Sequence, residues 1–309
     1  MQTNRHNIPK ELASAINVDH YHADSDQPSD YSATKLISPI QETELTRRYA
    51  DKIKAGDVMD NFNAWVGSVL HNAVEDAWTQ SLNSIVENRF YATVLGKKIS
   101  GKVDCYDIDN KMIIDWKTCR LYKLTTGDTR QWEEQANIYA YLLSDSGYEV
   151  DALRIVAILL DWKKAESKFK PNYPACQVVP IDLKLWLKAE QEQFIKQRLI
   201  WLEEAKTLSD DNLAIQIPCS HHDKWEKYKD TAIRLKGSER ATRKFDTKEE
   251  ARTYAEENTK YLSSEYEIVE RYGLPIKCID YCSAAFKCKQ FRSETIIRTG
   301  QDPHIKTLF

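Results

Sequence analysis

RFYATVLGKKISGKVDCYDIDNKMIIDWKT, running from Arg89 to Thr118, decides the fold. Apolar and polar residues alternate along it, and it is broken at Gly96 and at Asp109–Asn110. Alternation of this kind belongs to half-buried strands, and the breaks are turn signals. The spacing predicts three strands, at about 88–95, 98–107 and 111–117. Asp104 then sits on one strand of a hairpin, and Asp115 and Lys117 on the next. Residues two apart in a strand share a face, so Asp115 and Lys117 project together. Pairing brings Asp104 alongside them.

Two carboxylates at one point suit a hard cation such as Mg²⁺ or Mn²⁺. An ammonium beside them can orient an attacking water and offset charge on a phosphate, while the metal activates that water. An Asp-x-Lys alone is more often found on a solvated hairpin. Here it ends the run Met112-Ile113-Ile114, where a charge needs partners.

Outward from this stretch the pattern is helical on both sides. Phe62, Trp65, Val66, Val69, Leu70, Ala73 and Val74 recur at three- and four-residue steps, placing a helix over about 61–80. Gly67, His71 and Glu75 lie four apart on one face of it. Residues 130–144 read as a second helix, 152–161 as a buried strand, and about 182–207 as a long amphipathic helix. Helix, three strands, helix, strand, helix describes a mixed central sheet flanked by helices, an α/β (α+β) fold.

These residues together resemble the RecB-like, Cas4-like branch of the PD-(D/E)XK nucleases, a branch common among phage exonucleases. The branch pattern is G-x-x-x-H-x-x-x-E on a helix, then G-x-x-D, then D-x-K-T, then Q-x-x-x-Y on a following helix. The chain has Gly67, His71 and Glu75; Gly101 and Asp104; Asp115, Lys117 and Thr118; then Gln135 and Tyr139. The resemblance covers about residues 31–160. It implies a restriction-endonuclease-like core and a metal-dependent deoxyribonuclease, an exonuclease rather than an endonuclease, working in recombination, repair or phage DNA metabolism. Asp104, Asp115, His71 and the Trp116 carbonyl would ligate Mg²⁺ or Mn²⁺. Lys117 would polarise the water, Gln135 and Tyr139 would shape the site and contact DNA, and Glu75 would support it. The alternative is a non-catalytic DNA- or partner-binding module that keeps the fold within a helicase–nuclease assembly. No G-x-x-x-x-G-K-[ST] motif is present, so any motor would be a partner.

Cys278-x3-Cys282-x5-Cys288 lies near the C-terminus, with Cys219 upstream. Clustered cysteines of this kind are more often metal ligands than disulfides in a reducing compartment. Four thiolates suit a structural zinc or a [4Fe–4S] cluster. The nuclease branch often carries such a cluster, but with a C-x2-C-x5-C trio and a distant cysteine before the core, so the type stays open. His221 or His222 could replace one thiolate in a zinc site.

The chain has 309 residues, net charge −3, 42% hydrophobic and 29% charged residues. That excludes wholesale disorder and an overall basic coat, leaving a local basic stripe to meet nucleic acid. Lys224 to Lys244, interleaved with Trp225 and Tyr228, is one candidate stripe. With no membrane-length apolar run or signal-peptide core, the expectation is a cytoplasmic protein. The pattern divides the chain into a flexible polar leader at 1–30, a nuclease core at 31–214 and a small α+β module with the cysteine site at 215–309. It leaves oligomeric state open.

Overall fold

A computed structural model describes residues 2–17, 28–53, 55–78 and 83–299. The chain forms two compact units: one from Met1–Ser38 and Lys54–Glu203, the other from Pro39–Ile53 and Glu204–Phe309. The residues 39–53 thus cluster with the C-terminal part.

The first unit holds a six-stranded mixed sheet. β1 (Tyr31–Ser32) runs parallel to one edge of β3 (Lys97–Asp107). β2 (Ser84–Val94) pairs antiparallel along the other edge of β3, turning at Leu95–Gly96, where Gly96 has φ +72. β4 (Met112–Cys119) meets β3 antiparallel and β5 (Ala152–Leu159) parallel. A parallel neighbour demands a crossover. α5 (Leu121–Thr125) and α6 (Arg130–Asp145) supply it. β5 buries every second residue, Leu153, Ile155, Ala157 and Leu159. α6 buries Ala136 through Leu143 and packs across β2, β3, β4 and β5.

α1 (Lys10–Ile16) precedes β1, α2 (Ala33–Ile37) follows it directly, and α4 (Phe62–Trp78) packs against β2 and β4. The N-terminal segment is tied down by Asp57. Its carboxylate accepts from Thr3 Oγ1 at 2.9 Å and from the Arg5 amide at 2.8 Å, and it also caps the turn at Met59.

One expectation fails here. The helix placed from about 182 begins only at Lys188, as α8 (Lys188–Thr207), after a short α7 (Glu166–Phe169). Before it comes β6 (Val178–Leu183), antiparallel to β5 at the sheet's edge. Pro180 masks this strand in the sequence, yet an edge strand tolerates a missing N–H. The buried amide of Asn137 fixes the link from β6 into α8, donating to Lys184 O and accepting from the Trp186 N–H.

The second unit begins with α3 (Ile40–Arg48), which starts directly after Pro39. Buried Glu44 takes Arg47 at 2.7 Å and Arg48 at 2.6 Å; Arg48 reaches on to Asp210 at 2.7 Å at the head of α9 (Asp210–Gln216). A three-stranded sheet follows, ordered β8 (Arg243–Phe245), β7 (Tyr228–Leu235), β9 (Tyr266–Tyr272). Its hairpin turns at Gly237, with φ +79, as the Lys236–Gly237 pair predicts. α10 (Lys248–Glu257), capped by Thr247, closes a small core of Ile233, Ala251, Ala255 and Tyr261. α11 (Ile276–Asp280) and α12 (Lys289–Thr299) complete the unit.

Candidate active site

In the first unit, β3 and β4 pair at Asp107–Met112, Tyr106–Ile113 and Cys105–Ile114. The same register would next set Asp104 against Asp115, but the backbone ladder stops there. The Asp104 carboxylate takes over, accepting the Trp116 N–H at 3.0 Å. Asp115 lies beneath the surface, only 2% exposed. Lys117 Nζ holds it at 2.7 Å. Burial first, and then the Asp104 charge, push the Asp115 carboxyl well above the usual carboxylate range, against the pull of Lys117.

α4 supplies His71. Its Nε2 lies 3.0 Å from Asp104 Oδ2 and 3.0 Å from Glu87 Oε1. The hydrogen bond to Asp104 holds the imidazole above its ordinary pKa despite burial. Gly67, one turn earlier, faces the sheet; a Cβ there would stand 3.2 Å from Thr118 Oγ1. Gln135 Nε2 donates to the Tyr139 hydroxyl at 2.8 Å on α6. An open cleft of about 510 Å³ is lined by Gly67, His71, Asp104, Trp116, Lys117, Gln135 and Tyr139 together. Its size is that of a small-ligand site. All the expected side chains therefore converge except two. Asp115 lies under the cleft wall, and the side chain of Glu75 lies outside the described residues.

Glu87 is the residue that the sequence pattern does not reveal. It sits on β2 with Lys102 bound to one of its oxygens, and both line the same cleft. Burial raises its carboxyl pKa. A signal is nonetheless present. Counting back across the Leu95–Gly96 turn puts position 87 opposite 104, but the strand expected from about 88 starts one residue too late to include it.

His71, Glu87 and Asp104 offer three ligand atoms within 4.8 Å of one another. Glu87 Oε1 is buried and accepts no well-formed hydrogen bond, while Asp115 Oδ2, also buried, has the Lys117 ammonium at 2.7 Å. Buried carboxylate oxygens without donors are costly unless a cation serves them. The donor set, carboxylates with one imidazole, fits a divalent metal such as Mn²⁺.

In the second unit, Cys219, Cys278, Cys282 and Cys288 line one cavity. None forms a disulfide. Burial pushes the thiols up, to about 12 at Cys278 and about 11 at Cys282. Gln41 Oε1 accepts from Cys288 Sγ at 3.2 Å. Neither His221 nor His222 lines the cavity. His221 instead stacks on Tyr272 with centroids 3.6 Å apart. Lys224 is no nucleic-acid contact either: it is buried, and Glu294 holds it at 2.7 Å.

No family model matches the chain, and no curated protein does. Among solved structures, SSO0001 is similar at 16% identity and TM-score 0.44, over 62% of this chain and 85% of that one. A phage-related exonuclease from Haemophilus somnus 129PT is similar at 13% and 0.35, over 66% and 92%. LHK-Exo, solved in complex with dAMP, is similar at 13% and 0.31, over 60% and 95%. No helix among the described residues is long and apolar enough to cross a membrane.

Proposed function

We propose that this chain is a divalent-metal-dependent deoxyribonuclease of the RecB-like, Cas4-like kind, acting as an exonuclease on DNA ends. The observation that carries the reading is the meeting of Asp104, Lys117 and His71, from two strands and a helix, at one cleft, with Asp115 beneath its wall holding Lys117. Asp104, Asp115, His71 and the Trp116 carbonyl are the groups that would hold Mg²⁺ or Mn²⁺. Such a cation, when bound, activates water and stabilises the leaving oxygen. Lys117 Nζ, anchored by Asp115, orients the attacking water and offsets charge on the phosphate. Gln135 and Tyr139 form the wall against which the strand lies.

The cysteine cavity supports a second metal centre. Four thiolates around one cavity suit a [4Fe–4S] cluster held by Cys219, Cys278, Cys282 and Cys288, with a structural zinc as the alternative.

The test is digestion of end-labelled linear and closed circular DNA with Mg²⁺ or Mn²⁺, comparing wild type with Lys117→Ala. Cleavage of linear DNA that the variant loses is the expected result. Equal activity in both proteins overturns the mechanism, and equal attack on circular duplex overturns the exonuclease assignment.

A further inference from the structure

Glu87 occupies a backbone position that an acid is poorly suited to fill. Its φ is +51, left-handed, in the middle of an eleven-residue strand. The ladder pairs Val86 with Cys105 and Asn88 with Val103, and skips Glu87 and Asp104 between them. A non-glycine residue held this way inside a strand is strained, and such strain clusters at functional sites. Glycine would meet the same backbone at no steric cost. A carboxylate there calls for a reason.

The side chain supplies one. It is 10% exposed and its two oxygens are differently served. Lys102 takes Oε2. Oε1 faces His71 Nε2 at 3.0 Å but accepts no well-formed hydrogen bond. The reason is stoichiometric: the ring nitrogen carries at most one proton, and Asp104 takes it. One imidazole nitrogen thus faces two carboxylate oxygens, with a single proton between three ligand atoms. A divalent cation in place of that proton would serve all three.

We infer that Glu87 is a further metal ligand, joining His71 and Asp104 at the cation site. The inference rests on the nuclease reading and adds to it. Asp115, buried and held by Lys117, also fixes the lysine. A site of one imidazole and two carboxylates prefers Mn²⁺ to Mg²⁺, because nitrogen ligands favour the transition metal. Lys102 positions Glu87 by holding its second oxygen.

The experiment titrates the metal-stripped full chain with Mn²⁺ alone and with Mg²⁺ alone, by calorimetry, for wild type, Glu87→Gln and Glu87→Gly. Glu87→Gln keeps the shape of the side chain. Glu87→Gly relieves the backbone strain, so it reports on the ligand even if the amide disturbs folding. Both variants should bind Mn²⁺ about 10- to 100-fold more weakly, with a smaller change for Mg²⁺. Binding of Mn²⁺ by both variants with wild-type affinity and stoichiometry overturns the role of Glu87 and leaves the nuclease reading standing. A wild-type protein that neither binds Mn²⁺ nor cuts DNA overturns the nuclease reading, and the inference with it.

Discussion

The ring of Tyr139 lies where the side chain of any other residue at position 101 would have to go. A Cβ on Gly101 would stand 2.7 Å from Tyr139 Cε1 and 2.8 Å from Leu142 Cδ1. The glycine three residues before Asp104 and the tyrosine on α6 are therefore one packing unit. Their spacing in the sequence is a record of that contact.

Gly101→Ala should accordingly destabilise the fold by about 1–3 kcal/mol, the usual effect of overpacking. Because α6 would be pushed off β3, activity should fall too. Urea unfolding of Gly101→Ala, Tyr139→Ala and the double variant gives the check. The two changes should be strongly non-additive, as contacting residues are. Simple additivity would mean that the two residues do not share the space.

Asp115→Asn should abolish DNA cleavage while leaving the metal-free protein at least as stable as wild type. A buried carboxylate pushed up by burial and by Asp104 resists ionisation, and the amide removes that cost. Functional sites often trade stability in this way. Thermal melts in EDTA, set beside nuclease assays in Mg²⁺, measure both halves. A large drop in melting temperature would contradict the argument.

Asp57 should make the N-terminal anchor acid-sensitive. The Arg5 amide above all, with the Met59 amide and the Thr3 hydroxyl, lowers its pKa from 3.8 to about 2. A depressed folded-state pKa contributes stability that is fully present above the unfolded value and lost as pH falls through the folded one. The loss therefore falls between about pH 4 and pH 2. Asp57→Asn should narrow its stability gap to wild type over that window and show the full gap at pH 7. A gap that stays constant from pH 7 to pH 2 would show that the carboxylate charge is not what anchors the segment.

Cys282→Ser should remove the visible absorption of anaerobically purified protein together with its iron and acid-labile sulfide, since each thiolate is one corner of the proposed cluster. Stoichiometric zinc in place of iron would assign the cavity to a structural zinc.

Most of the sheet is legible in the sequence because β2 to β5 carry their own signals: Gly96, Asp109–Asn110 and the compact apolar run of 152–159. The hairpin at Gly237 and the cap at Thr247 are legible for the same local reason. β6 is not, because its edge position and Pro180 carry no strand signal. Glu87 is hidden differently. Its importance comes from a cross-strand neighbour and an unusual φ, neither of which leaves a mark on residues 86–88 themselves. The apolar run Met112–Ile114 hints at the burial of Asp115, but its full depth depends on tertiary packing. Within the basic run 224–244, the inward turn of Lys224 to Glu294 is likewise not written in the sequence.

The amide of Trp116 hydrogen-bonds to a side chain where its neighbours in β4 bond to backbone. It is therefore a built-in sensor. Its proton resonance and its exchange with deuterium follow the state of one carboxylate, that of Asp104, rather than the sheet as a whole. A single ¹⁵N label at that residue would report the arrival of cation or nucleic acid at the cleft, without any added probe.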